Sequence, residues 1–490
     1  MKSPVPFLPD TAGDISTRTL LYHYFPSLRN AGVFGKTGKA SPESVWEMLK
    51  QAACSRPDNA TAFIRKHSVS EHPDLLLILP LLEGIAAHLL WRRGYGEMPG
   101  GKSPDSLPDA LSLSDFLKQA AVSFSVLQEN SRTYAEIIKG CIPHIRDDTE
   151  AEKYLSDFLR LVSHPDPELS NTGEDTADEA NAPEIISQKS VRSRAAEGII
   201  LLALHLKEKG IPFPRLLPSL LLRFATDSHP AVRLSLLPYL NAYAAHDSPA
   251  AWRIFHALYC SSADTLPFLR YRIELFLQQQ CGENFLQVRY YLKQTMHRNL
   301  QPDTVSWGNI LAENFLNQKI SQNEMCEMIA LFREIKAREY VFAFLVSAIL
   351  KHEKHSAKAL QGIQALLRAF GFTDIIFKET ENLFRGCQRH EILVPLFYIF
   401  LSEFRGMSAA CDLSFLYETL SDISAEKPLA ALPLCHELLG KIRTSQKQFC
   451  IWQGEKCIAV IRRILQEKRM KETELTEISA YAEKFSKASG

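Results

Sequence analysis

Apolar positions along this chain recur at steps of three and four residues and almost nowhere alternate, which is the period of a helix and not of a strand. On that pattern the sequence predicts helices over 41–54, 73–91, 112–141, 149–162, 191–209, 214–225, 232–245, 249–259, 267–280, 285–297, 303–316, 323–351, 356–370, 377–387, 392–404, 412–420, 428–442 and 455–484. Two of them open on the same phrase. Ser190-Val191-Arg192 leads into Ala195, Ile199, Leu202 and Leu206, and Ala231-Val232-Arg233 leads into Leu234, Leu237 and Leu240. The 41 positions from Val191 to Val232 match the length of one helical hairpin in a stacked repeat. A single hairpin cannot bury its own apolar face, so neighbours must cover it. The expected fold class is therefore all-α, an α-solenoid of helical hairpins, with the two valines at equivalent, inward-facing positions.

The residues that interrupt the pattern agree with it. Asp227-Ser228-His229-Pro230 supplies a capping side chain and a proline just ahead of the second phrase. Prolines also fall inside apolar runs, at Pro80, Pro218, Pro238, Pro395 and Pro433, where each either kinks a helix or marks its start. The stretch 97–109 is rich in Gly, Pro and Ser and reads as a flexible loop. The stretch 170–184 holds Glu174, Asp175, Asp178, Glu179 and Glu184 with no Lys, Arg or aromatic residue, the composition of a disordered acidic insert. Ser163-His164-Pro165 before it parallels Ser228-His229-Pro230, so the insert lengthens the turn inside one hairpin. These features divide the chain into an N-terminal helical region (1–148), repeats carrying the insert (149–300) and C-terminal helical repeats (301–490).

The run Asp227-Ser228-His229-Pro230-Ala231-Val232-Arg233, with Leu234, Leu236, Leu237 and Leu240 after it, resembles the inter-helix turn and second helix of a HEAT or armadillo-like repeat. The run from Ser190 to Gly198 resembles the same element. The resemblance implies that a turn arginine pairs with a neighbouring Asp and holds the stack. Residues 152–281 also resemble, more faintly, the helical repeat region that follows the ATPase domain in large bacterial STAND-type NTPases implicated in phage defence. This sequence carries no matching nucleotide-binding core, so that resemblance implies a sensor or scaffold portion without the motor.

Charge narrows the field of partners. Lys plus Arg and Asp plus Glu number 56 each, so no global field draws in nucleic acid or an anionic membrane. The 10 cysteines include no C-x-x-C pair and sit mostly in apolar stretches, as reduced thiols of an intracellular protein do. Residues 1–10 lack the unbroken apolar core of a secretory signal, and the apolar runs 75–82, 341–350 and 392–400 fall short of the roughly 18 to 20 residues of a bilayer span. A cytoplasmic location without membrane insertion is expected.

Several constellations invite a chemical reading, and each fails on spacing. Gly32 to Ser41 contains two Gly-Lys pairs, but Val33 and Ala40 stand where a P-loop needs Gly and Ser or Thr. Cys435, His436, Cys450 and Cys457 give no recognised zinc spacing. His352-Glu353-Lys354-His355 is one residue short of H-E-x-x-H, and no G-x-S-x-G elbow occurs. No cofactor or metal and no catalytic residue is expected. The remaining candidate is an interaction edge of Arg192, Arg194, Arg233, Arg270 and Arg272, placed near hairpin turns. Such a ladder either grips phosphates or pairs with neighbouring acids, and the resemblance favours pairing. The expected function is a non-enzymatic protein-interaction scaffold. A HEAT-fold nucleic-acid binder, including the alkylation-repair glycosylase type, is the alternative.

Overall fold

In the computed structural model, the described residues are 21–25, 28, 42–67, 75–95, 108–123, 130–168, 186–187, 190–261, 266–298, 302–332, 334–351, 353–403, 414–427, 430–431, 433–435 and 437–438. Among these the chain is helical, with no strand. It falls into two compact units, Met1–Phe276 and Leu277–Gly490. The 149–300 region of the sequence reading straddles that boundary.

The first unit contains α1 (Pro42–Ser55), α2 (Pro57–His67), α3 (Leu75–Arg93), α4 (Ala110–Ser123), α5 (Ser131–Cys141), α6 (Asp148–Leu161), α7 (Val191–Lys209), α8 (Leu217–Ala225), α9 (Pro230–Leu234), α10 (Leu237–His246) and α11 (Ser248–Cys260), and α12 (Leu266–Gln280) crosses its end. Helices α1, α3, α5, α7 and α10 pack each on the next as one row, while α2, α4, α6 and α8 lie against members of that row. Glycines let the row close up. A Cβ on Gly84 of α3 would lie 2.3 Å from the Lys50 carbonyl oxygen of α1, and one on Gly140 of α5 would lie 2.6 Å from the Ala86 Cα of α3.

The second unit contains α13 (Phe285–His297), α14 (Thr304–Leu316), α15 (Gln322–Leu331), α16 (Lys336–Lys351), α17 (Ser356–Phe370), α18 (Asp374–Gly386), α19 (His390–Glu403) and α20 (Ser414–Glu426). Alternate helices pack together here: α14, α16, α18 and α20 make one row, and α13, α15, α17 and α19 the other. Edge-to-face rings of Phe384, Phe400 and Phe415 fill the space between helices α18, α19 and α20.

Local signals start and stop these helices. Asp147, Asp247, Asp303 and Thr373 accept backbone N–H groups at helix starts, and Ser321 with Glu324 forms a full capping box on α15. Gly210 ends α7 with φ 67°, a left-handed conformation that glycine adopts without strain. Val191 and Val232 are 5% and 0% exposed, so both point into the core.

Four sequence expectations need correction. The helix read over 112–141 is two, α4 and α5. The helix read over 323–351 is also two, because Phe332 is extended at φ −73° and ψ 125° after α15. The stretch read as one helix over 232–245 breaks between α9 and α10. Helix α2, with Pro57 at its start and Asp58 in its first turn, was not expected at all. The prolines divide: Pro80 and Pro395 sit inside helices, whereas Pro218 and Pro238 occupy first turns, where their missing N–H costs nothing. The acidic stretch 170–184, most of the loop 97–109 and the helix read over 455–484 lie outside the described residues.

Candidate functional site: the hairpin turns and a buried charge ladder

The two Val-Arg phrases are each served by a His-Pro turn of the same local geometry. In the second, His229 Nδ1 accepts the Ala231 N–H at 3.1 Å, and in the first, His164 Nδ1 accepts the Asp166 N–H at 3.1 Å. Burial pushes the His229 imidazole down to about 4, with Arg192 adding to the shift, so it stays neutral and keeps its acceptor lone pair. Asp166 then reaches across to α7: its carboxylate accepts the Val191 N–H at 2.7 Å and its carbonyl accepts the Arg192 N–H at 3.1 Å. Residues 170–184 thus lie in a connection whose two ends are hydrogen-bonded to each other.

Arg192 ties one turn to the next. Its Nε and Nη2 donate to the two carboxylate oxygens of Asp227, each at 3.2 Å, and its Nη1 donates to the carbonyls of His164 at 2.8 Å and Pro165 at 3.1 Å. Arg233 is buried and donates to the carbonyls of Asp227 and Ser228 in its own turn. Arg194 points elsewhere, since residues two apart on a helix lie on nearly opposite sides. Arg270 pairs with the buried Glu274 on its own helix at 3.0 Å, and Arg272 lies over the neighbouring Tyr271 ring with its guanidinium carbon 5.8 Å from the centroid. The five arginines therefore do not form a common ladder of the Arg192 kind. Arg192 and Arg233 serve the turns, and Arg194 enters a different cluster.

That cluster runs along the first unit's row of helices. Glu83 of α3 is fully buried; it accepts from Trp46 Nε1 at 3.2 Å and from the Thr133 hydroxyl at 3.0 Å, and Lys50 of α1 lies 3.6 Å away. On α5, Lys139 pairs with Glu136 at 3.0 Å and with Glu197 of α7 at 2.7 Å. Arg194 of α7 pairs with Glu136 at 2.8 Å and with Glu197 at 3.2 Å. The Tyr239 hydroxyl of α10 donates to Glu197 at 2.7 Å. Lys50, Lys139 and Arg194 thus face Glu83, Glu136 and Glu197 through four successive helices of the row, and Tyr239 extends the network to the fifth.

The charges hold one another in place. Burial pushes the Glu136 carboxyl up, but Arg194, Lys139 and Lys50 outweigh it and hold Glu136 well below the carboxylate range. Glu197 is lowered in the same way by Lys139 and Arg194 against its burial. Burial works to lower Arg194, and Glu136, Glu197 and Glu83 overcome it and raise the group. Burial and the neighbouring Glu197 raise the Tyr239 phenol. Every one of these shifts moves titration away from neutrality, so the ladder keeps one protonation state and is poorly suited to general acid–base work. Chemically it is an adhesive between helices.

Sequence reasoning singled out Arg194 but missed the rest of this ladder. The available signal was a charged residue directly before glycine inside an apolar run, which occurs at Glu83-Gly84, Lys139-Gly140 and Glu197-Gly198.

Among the described residues, no group of three or more His, Cys, Asp or Glu could hold a metal ion. His355 lies in a short 3-10 turn, while His352, His436, Cys450, Cys457 and the Gly-Lys stretch 32–40 lie outside the described residues. Among the described residues one helix, α3, is long and apolar enough to cross a membrane, yet most of it is buried against its neighbours and it carries Glu83 of the ladder. No protein-family model, curated protein or solved structure matches this chain.

Proposed function

We propose that this chain is a non-enzymatic interaction scaffold built from HEAT-like hairpins, with a protein as its partner. The observation that carries the reading is the Arg192 bridge from one hairpin turn to Asp227 of the next, the cohesive use of a turn arginine that the HEAT resemblance implies. Both turns use the same histidine acceptor, and both valines of the repeated phrase are buried, as consecutive copies of one unit require. The fainter likeness to STAND-type NTPases would make the scaffold a sensing part of a defence assembly whose ATPase is supplied elsewhere.

A nucleic-acid binder needs arginines with donors turned outward to phosphate. Arg192, Arg194 and Arg233 instead direct donors at groups of the same chain. The test is a pair of measurements on Arg192→Ala and Arg233→Ala. The scaffold reading expects each to lose about 1 to 3 kcal/mol of stability, because Asp227 keeps only the His229 N–H in the first variant and the turn carbonyls lose their guanidinium donor in the second. It expects weak DNA and RNA binding in wild type and variants alike. Tight binding by the wild type at physiological salt, with a salt dependence that shrinks by about one unit of log–log slope per arginine removed, would overturn it.

A further inference from the structure

Helix α11 buries Trp252, Phe255 and Tyr259 on one side and exposes His256 and Cys260 on the other. Four residues apart, the two exposed side chains lie one above the other on the same helix face. The Cys260 sulfur is 3.7 Å from both ring nitrogens of His256. A turn of the exposed ring about its Cβ–Cγ bond, a torsion with broad preferences, therefore aims either nitrogen at an ion held between the two side chains, and no buried group has to move. Among the described cysteines Cys260 is the exposed one. Burial pushes the Cys54 thiol up to about 12 and the Cys141 thiol up to about 11, so those sulfurs keep their protons at neutral pH.

Zinc bonds to thiolate sulfur and imidazole nitrogen, about 2.3 and 2.0 Å long, meet near the tetrahedral angle and so set the two ligand atoms about 3.5 Å apart. The pair on α11 already stands close to that separation. One sulfur and one imidazole are also the ligand types that suit zinc, whereas magnesium and calcium take oxygen. We propose that His256 and Cys260 form a two-ligand chelate for zinc(II) on the exposed face of α11, with the remaining coordination positions open to water or to a ligand atom of a bound partner. On binding, the ion takes the place of the Cys260 thiol proton, which passes to solvent, and a nitrogen of His256 supplies its lone pair. Two protein ligands stand where a structural zinc site has four, and Arg253, exposed one turn earlier on the same face, repels a dication. The affinity expected is therefore micromolar, that of an exchangeable site. This inference does not depend on what else the protein binds.

Alkylation of the full, reduced, metal-free chain by iodoacetamide, read at Cys260 by mass spectrometry of its peptide, tests the site. Zinc chloride is expected to slow the reaction of Cys260 at micromolar free ion, and magnesium chloride at the same concentrations is expected to leave it unchanged. His256→Ala should raise the zinc concentration at half-protection by at least about tenfold, since even the outer partners of zinc ligands are worth that much. His256→Cys puts a second thiolate at the same place and should keep the protection, an outcome that a merely local effect on the helix would not produce. Both variants change an exposed position, and their helical circular dichroism should match the wild type's. Alkylation of Cys260 that zinc does not slow overturns the proposal, as does equal protection by magnesium, which marks a simple charge effect. Half-protection unmoved by His256→Ala overturns it too, because the thiol then holds the ion without the imidazole.

Discussion

Glycine follows a ladder charge at Glu83-Gly84, Lys139-Gly140 and Glu197-Gly198, and the two residue types need each other. At Gly84 and Gly140 the missing side chain lets row helices approach closely, while Gly198 makes room for the Phe158 ring of α6, and the charges satisfy polar groups that this close packing has removed from water. Two substitutions separate these effects. Gly140→Ala would drive a methyl against the Ala86 backbone and should cost about 1 to 3 kcal/mol in urea denaturation, the usual range for overpacking. Lys139→Met keeps the volume but leaves Glu136 and Glu197 sharing Arg194, and it should cost about 3 to 5 kcal/mol. Adding Glu136→Leu removes the surplus negative charge, and the pair is expected to regain much of that loss. If Lys139→Met proves harmless, the ladder does not bind the row together. The ladder was not legible beforehand because a lone glutamate such as Glu83 in an apolar helix reads as one unfavourable position until its partners Lys50, Trp46 and Thr133, far along the chain, are placed beside it.

At the level of helices, boundaries that depend on local chemistry were legible and those that depend on packing between helices were not. The second Val-Arg helix start carries its own cap, the His229 acceptor two residues before Ala231, so its position follows from a short-range hydrogen bond, whereas the first is held by Asp166 from 25 residues away. Nothing comparable marks the break between α15 and α16, where Ile329 to Lys336 contains neither Gly nor Pro and apolar residues continue at helical spacing. There the requirement that α15 and α16 belong to different rows ends the helix. The acidic stretch 170–184 is a case where anchoring carries the argument. Since Asp166 binds the Val191 and Arg192 amides directly, the hairpin holds its geometry on either side of the stretch. Replacing 170–184 by a short Gly-Ser turn should leave the melting temperature nearly unchanged, because closure entropy varies only slowly with loop length. A fall of many degrees would show that the stretch contributes packing.

Across the whole molecule the charges balance, so acid acts on stability through particular groups more than through overall repulsion. His88, His144, His164, His205 and His229 all belong to the first unit, and burial lowers each of them from the ordinary 6.5. They are neutral in the fold, while the unfolded chain takes up protons below that value. The stability this preference contributes is complete above pH 6.5 and is lost as the pH falls toward the folded value, about 4 for His229. Glu136 and Glu197 act lower down: held below the ordinary 4.5, they contribute stability above it and lose it as the pH drops further. Urea midpoints should therefore decline between pH 7 and pH 5, a window in which carboxylates alone predict little change. His229→Asn isolates one contributor, since an asparagine oxygen can accept the Ala231 N–H in the same cap without titrating. The variant is expected to lose pH dependence more than it loses stability at neutral pH. A slope equal to the wild type's would place the acid response elsewhere and leave the turn histidines as pH-independent caps.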